Sequence, residues 1–175
     1  MSRVLLALLA VVPLTGCLLT GSLDPNGGGR FTMKIRLVSV AHFEPFKKAL
    51  QSPEVVLKSA SMTPDKWATF EFECTDIRNI SSTVALGSTT VAVTDRGDGE
   101  RTLTATLANA IPDRMSEAYA NYLGRDFDLS LELPGAVTHS NATSKTGRTV
   151  SWKWPIAELS HHRQMTINAS YRLAS

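Results

Sequence analysis

The chain has 175 residues, with 18 basic and 16 acidic side chains and a formal net charge of +2 at neutral pH. This length is typical of one domain with its own hydrophobic core. Nucleic-acid binding is not expected, because charges this close to balance, with no cluster of basic residues, do not provide the strongly positive surface that it requires. The two cysteines, Cys17 and Cys74, are too few for a disulfide framework.

Residues 1–16 are predicted to be a bacterial lipoprotein signal peptide. Arg3 supplies the positive start, and residues 4–13 form an apolar run too short for a bilayer span of roughly 20 residues. The next four residues, "LTGC" (14–17), resemble the lipobox, in which small residues give the signal peptidase access to the bond before the cysteine. Cys17 is therefore the predicted site of lipidation. An ordinary secretory signal followed by a chance cysteine is the alternative.

The predicted anchor is followed by a predicted flexible segment. Residues 17–29 are interpreted as the lipidated cysteine and a tether, because "LLTGSLDPNGGG" is rich in glycine and turn-forming residues. The acyl chains on the cysteine, palmitate among them, provide two membrane signals and therefore stable attachment. We expect a protein anchored in the cell membrane or outer membrane on the extracytoplasmic side, with residues 30–175 forming one domain.

Alternation of apolar and polar residues predicts about eight strands in that domain. The clearest case is "WATFEFEC" (67–74), where Phe70 and Phe72 are expected to face inward and Glu71 and Glu73 to face water. The predicted strands lie within residues 31–40, 54–62, 67–74, 127–135, 147–154 and 164–173 and in a hairpin over 89–107.

Two helices are predicted between these strands. Residues 42–51 place apolar side chains at helical spacing before Ser52 and Pro53 end the segment, and residues 112–123 start with proline and are followed by Gly124. Short connections favour antiparallel neighbours. The expected fold is α+β, a mostly antiparallel sheet of about eight strands with two helices packed on one face.

No motif for catalysis, for a cofactor or for a metal is recognised in the sequence. Phosphate-binding loops, nucleophile elbows and paired metal-binding cysteines do not occur, and His161 and His162 would point apart on a strand. Cys74 continues the inward-facing series of its strand, which favours a buried thiol over a reactive one. We therefore expect a protein that is not an enzyme and that holds neither cofactor nor metal.

The aromatic residues suggest a binding surface. Trp152 and Trp154 share one face of a strand, and apolar grooves between layers of structure are common sites for lipid-like ligands. Ordinary core packing is the alternative for each of them. The candidate ligand-binding residues are Phe43, Phe46, Phe70, Phe72, Trp152 and Trp154.

Residues 129–154, "LSLELPGAVTHSNATSKTGRTVSWKW", resemble the LppM-like family of bacterial lipoproteins. The shared features are a strand ending in Leu-Pro-Gly (133–135), Asn141 in a polar turn, and a returning strand with Val-x-Trp (150–152). The lipobox and "FEFECTDI" (70–77) also fit, so the similarity covers most of the predicted mature chain. The resemblance implies an extracytoplasmic α+β domain, for which lipid or glycolipid binding has been proposed, and no established catalytic residues.

Two functions follow from these observations. The first is a membrane-anchored binding module that holds a lipid or another amphiphilic ligand of the cell envelope. The second is a structural or assembly lipoprotein that docks an envelope protein through a sheet edge or through the water-facing side of its sheet. Lipid that co-purifies with the protein would favour the first, and a crosslinked partner without lipid would favour the second.

Overall fold

The computed structural model describes residues 18–108, 126–155 and 164–173, and these are mostly β-strand. The eleven strands in these ranges are β1 (Leu18–Leu23), β2 (Gly29–Arg36), β3 (Val55–Met62), β4 (Trp67–Cys74), β5 (Thr89–Gly97), β6 (Glu100–Ala108), β7 (Asp126–Glu132), β8 (Ala136–Ser140), β9 (Ser144–Thr146), β10 (Thr149–Pro155) and β11 (Gln164–Arg172). A helix α1 (Phe43–Ala49) and two 3-10 turns (Val40–His42 and Ile77–Ser82) lie between them.

The strands form two sheets. The larger has the order β3-β4-β2-β1-β7-β10-β9, and the smaller has the order β5-β6-β11-β8. The larger sheet is mixed, because β1 runs parallel to β7 while its other strand pairs are antiparallel. Both sheets and α1 contribute apolar side chains to one continuous hydrophobic core.

The expected fold class, one antiparallel sheet of about eight strands with two packed helices, is wrong. The strands divide between two sheets: β7 belongs to the larger sheet, and β8, which follows after three intervening residues, belongs to the smaller one. The predicted helix over 42–51 is present as a 3-10 turn followed by the seven-residue α1. The second predicted helix, over 112–123, lies outside the described residues.

The predicted flexible tether over 17–29 is also wrong where the structure describes it. Residues 18–23 form β1, which hydrogen-bonds to β2 on one side and to β7 on the other. The turn chemistry of "DPNG" joins two strands instead: Asp24 Oδ1 accepts the backbone N–H of Asn26 at 2.7 Å and that of Gly28 at 3.1 Å. The alternation of apolar and polar residues in β1 is hard to recognise in the sequence, because Gly21 occupies an inward-facing position that an apolar side chain would otherwise mark. The missing side chain leaves space on the inner face for the ring of Phe31.

The alternation of β4 is confirmed. Phe70 and Phe72 are buried, Glu71 is exposed and Glu73 is partly exposed on the opposite face. The face of the larger sheet that points to the core is called the inner face below, and the opposite one the outer face. The end of the larger sheet at which β1 starts and β2 ends is called the Leu18 end. According to the strand register, this end includes Leu18, Arg36, Trp67 and Pro155.

Candidate functional site

The six predicted ligand-binding residues all face the core, in two groups. In the first group, two aromatic rings of α1 pack against Phe70 of β4. The ring centroid of Phe70 lies 5.6 Å from that of Phe43 and 5.0 Å from that of Phe46. Phe72 is the next inward-facing residue of β4. In the second, Trp152 and Trp154 lie on the inner face of β10. Because β2, β1 and β7 separate β4 from β10, the groups are roughly 19 Å apart across the sheet.

Burial divides the six residues differently. Phe46, Phe70, Phe72 and Trp152 are buried in the core, whereas Phe43 and Trp154 are half-buried at its margin. Trp152 is only 2% exposed. A ligand can therefore contact Phe43 and Trp154 with little rearrangement, but it would have to open the core to reach the other four.

The half-buried residues lie toward the Leu18 end. Trp154 pairs with Phe127 near the start of β7, and the two rings are 5.5 Å apart. Leu19, also half-buried, lies on the inner face of β1 between Met33 and Leu129. α1 begins at Phe43, a few residues after β2 leaves the sheet at this end. The margin of the core here is thus apolar and partly accessible.

The outer face of the larger sheet is polar and has a regular arrangement. Thr20 of β1 pairs with Thr32 on one side and with Ser130 on the other, and the Ser130 hydroxyl lies 2.9 Å from that of Ser151. The complete register row, which crosses all seven strands, is Ser59, Glu71, Thr32, Thr20, Ser130, Ser151 and Ser144.

An open depression of about 420 Å³ lies over one half of this row. Its charged rim is formed by Lys58, Glu73 and Arg30: Lys58 Nζ is 2.9 Å from one Glu73 oxygen, and Arg30 Nε is 3.1 Å from the other. The hydrogen bond from Lys58 lowers the pKa of the Glu73 carboxyl, so Glu73 is an anion at neutral pH. Alternating charges beside a row of hydroxyls suit a polar partner better than an alkyl chain.

Asn141 is a structural residue whose role could not be predicted from the sequence. Its Oδ1 accepts the indole N–H of Trp152 and the backbone N–H of Asn168, both at 2.8 Å, and its Nδ2 donates to Thr166 O at 2.8 Å. The sequence placed Asn141 in a polar turn but gave no sign of its partners, which lie 11 to 27 residues away along the chain.

Cys74 has the environment of a buried thiol. It is 5% exposed, and burial raises its pKa to about 11, which keeps the thiol protonated at neutral pH. Within the described ranges, no group of three or more His, Cys, Asp or Glu residues is placed to hold a metal ion. The helices of the same ranges include none that is both long and apolar enough to span a membrane. Cys17 lies outside the described residues.

The fold belongs to the class of two-sheet, mostly β domains with one mixed sheet. Among solved structures it is similar to the folded domain of the Mycobacterium tuberculosis LppM protein, with a TM-score of 0.58 over 91% of this chain and 90% of that one. The two sequences are 16% identical, so the similarity is one of fold. No protein-family profile matches the sequence, and no curated protein matches it.

Proposed function

We propose that this protein is an extracytoplasmic bacterial lipoprotein, anchored through acyl chains on Cys17, that binds an amphiphile of the cell envelope and catalyses no reaction. The observation that supports this most is the position of Leu18. It is the first residue of β1 and directly follows the predicted lipidation site. The anchor and the accessible apolar margin of the core, with Leu19 and Trp154, therefore lie at the same end of the sheet.

An amphiphile could leave the bilayer at this end without crossing water. Its alkyl chain would cover Leu19, Phe43 and Trp154, and each methylene removed from water contributes about 0.8 kcal/mol. A cation is available for the headgroup, because Lys47 Nζ lies 5.6 Å from the centre of the Phe43 ring. Lys47 also pairs with Glu44 at 3.0 Å, so a headgroup phosphate would compete with a solvent-exposed ion pair, which is a weak interaction.

This proposal assigns the ligand contact to Phe43 and Trp154 and gives the other four candidate residues a role in the core. The test is native mass spectrometry of the mature protein purified from membranes, combined with titration by long-chain phospholipid and glycolipid. We expect bound lipid in the wild type and at least tenfold weaker binding in a Phe43→Ser, Trp154→Ser double variant. Trp67→Phe on the outer face is the matched control and should bind normally. Equal affinity in all three proteins, or no bound lipid, would contradict the proposal.

Docking of an envelope protein on the outer face is the second candidate function. It is favoured by the charged depression, in which Lys58, Glu73 and Arg30 alternate in sign. A photo-crosslinker in place of Thr32 should capture one defined partner in intact cells, and Glu73→Lys should abolish the capture by reversing the central charge. A crosslinker in place of Asp98, in the exposed β5–β6 turn, is the matched control. Crosslinking that is equal at both positions would contradict docking on this face.

A further inference from the structure

Three large apolar side chains are exposed at the Leu18 end of the larger sheet. Leu18 is 43% exposed, Val38 is 49% exposed and Val40 is 58% exposed. Elsewhere in the described residues, large exposed apolar side chains occur singly, at Val56 and Val84. Single apolar side chains at a surface need no explanation, whereas a group of them indicates an interaction surface.

The backbone fixes the positions of these side chains. Leu18 pairs with Lys34, and β2 ends two residues later at Arg36. The chain then passes along the β3–β4 turn: the Leu37 N–H donates to Lys66 O at 2.9 Å, and Lys66 Nζ donates to Val38 O at 3.3 Å. Val38 and the turn at Val40 are therefore held beyond the end of the sheet, on the same side as the start of β1.

Trp67 provides a second and independent observation. It lies on the outer face at the same end, pairs with Arg36 and is half-buried, with Lys34 Nζ 5.4 Å from the centre of its ring. Tryptophan and lysine are concentrated where proteins meet the headgroup layer of a membrane, because each combines an apolar body with a polar tip. The Leu18 end thus combines exposed apolar side chains, a half-buried tryptophan ring and a lysine next to that ring.

Two acidic groups at this end have partners within the protein. Asp65 accepts a hydrogen bond from the hydroxyl of Thr63. Asp126 pairs with Lys153 Nζ at 2.8 Å, and this interaction, with Asp128 nearby, raises the pKa of Lys153. On the Val38 side, Lys34 beside the Trp67 ring supplies a cation for a headgroup.

We infer that the Leu18 end rests in the headgroup layer of an anionic phospholipid bilayer, with Val38, Val40 and Leu18 inserted and Trp67 at the interface. The inference rests on the proposed acylation of Cys17. Consecutive Cα atoms are about 3.8 Å apart. A lipid on Cys17 therefore holds Leu18, the hydrogen-bonded first residue of β1, close to the membrane, because no flexible segment separates the two residues. The larger sheet then stands on the bilayer, and the β1–β2 turn near Asn26 points away from it.

The experiment maps this orientation on the mature lipoprotein reconstituted in phosphatidylcholine vesicles with phosphatidylglycerol. A polarity-sensitive fluorophore is attached to Val38→Cys or, as the matched control, to Asn26→Cys at the opposite end. Labelling is selective, because the Cys17 thiol is blocked by the acyl chain and Cys74 is buried. We expect a blue-shifted label at residue 38 that nitroxide lipids quench and aqueous iodide does not. The label at residue 26 should show the reverse.

Two further measurements separate the outcomes. Adding Val40→Asp to the Val38→Cys protein should at least halve the quenching by nitroxide lipids. Mass spectrometry of the same sample reports acylation: acylated protein with residue 38 open to iodide would overturn the inference alone, and protein without acyl chains would overturn the proposed function as well. A blue shift that is insensitive to nitroxide lipids and is lost when the protein is diluted at constant lipid would assign this surface to a second copy of the chain and would also overturn the inference.

Discussion

The side chains of Trp152 and Asn141 join the two sheets of the domain. The indole N–H donates to Asn141 Oδ1 at 2.8 Å, from β10 of the larger sheet to the residue that follows β8 of the smaller one. The same oxygen accepts the backbone N–H of Asn168 in β11 at 2.8 Å. The side-chain amide of Asn141 thus accepts the hydrogen bond of a buried indole N–H and also holds the end of β8, the edge strand of the smaller sheet, against β11. The fold therefore depends on the spacing between Asn141 and Trp152.

Asn141→Ala should lower the free energy of unfolding by about 2 kcal/mol, because it leaves the buried indole N–H without an acceptor. Chemical denaturation measures the change. Trp152→Phe removes the donor instead, so the double variant should lose less stability than the sum of the two single variants. Strictly additive losses would show that the hydrogen bond has no role in joining the sheets.

Gly21→Ala tests the position of β1 in the larger sheet. A Cβ at residue 21 would lie within 2.6 Å of Phe31 Cε1, and the Phe31 ring cannot move aside because it stacks on Phe72 at a centroid distance of 5.4 Å. Overpacking of this kind costs about 1–3 kcal/mol. Ser22→Ala, on the outer face of the same strand, is the control and should change the thermal midpoint little. A flexible tether would tolerate both changes equally.

The thiol of Cys74 should be inert in the folded protein. At pH 8 we expect no reaction with a water-soluble maleimide until guanidinium unfolds the domain, since the thiol is buried and its pKa is raised to about 11. Rapid labelling of the native protein would show that β4 opens readily at that position.

The same pKa predicts how stability depends on pH. In the unfolded chain the thiol ionises near its ordinary pKa of about 8.5, whereas in the folded protein it stays protonated up to about 11. The stabilising contribution is therefore complete below pH 8.5 and is lost as the pH rises toward 11. Cys74→Ala lacks this contribution. As the pH rises from about 8.5 to about 11, the wild type should therefore lose stability relative to the variant.

The local pattern of the sequence predicted the strands better than their arrangement. Strict alternation around Phe72 identified both faces of β4, because side chains of a strand point to opposite faces in turn. Alternation says nothing about which strands are neighbours. The parallel pairing of β1 with β7 depends on contacts between residues more than a hundred positions apart, such as Leu19 with Leu129. The smaller sheet likewise depends on pairings between distant strands, such as Ala108 with Gln164.

The candidate site was predictable in composition but not in accessibility. Trp152 and Trp154 were expected on one face, and both lie on the inner face of β10. Their different exposure depends on partners from other strands, namely Asn141 for the first and Phe127 for the second. The surface that we infer to contact the membrane was missed because Leu18 was assigned to a tether and Val38 to the end of a strand, so nothing placed them together.

The Leu-Pro-Gly segment marks the point where the chain passes from one sheet to the other, and Gly135 is the residue that permits it. β7 ends at Glu132 in the larger sheet, and β8 starts at Ala136 in the smaller one. Between them Gly135 passes so close to β11 that a Cβ would overlap Arg172 O and lie 2.6 Å from the carbonyl carbon of the same residue.

Gly135→Ala should therefore cost more than a typical overpacking change of about 1–3 kcal/mol, because the obstacle is the backbone of β11 and not a side chain that can rotate. Denaturation should show a lower midpoint, and hydrogen exchange should show faster opening of β8 and β11 than of β2 and β4. Pro134→Ala is the matched control: it removes the ring but keeps the close approach, so it should retain most of the stability. Equal losses in the two variants would mean that the proline sets the path of the chain between the sheets and that the contact at Gly135 does not.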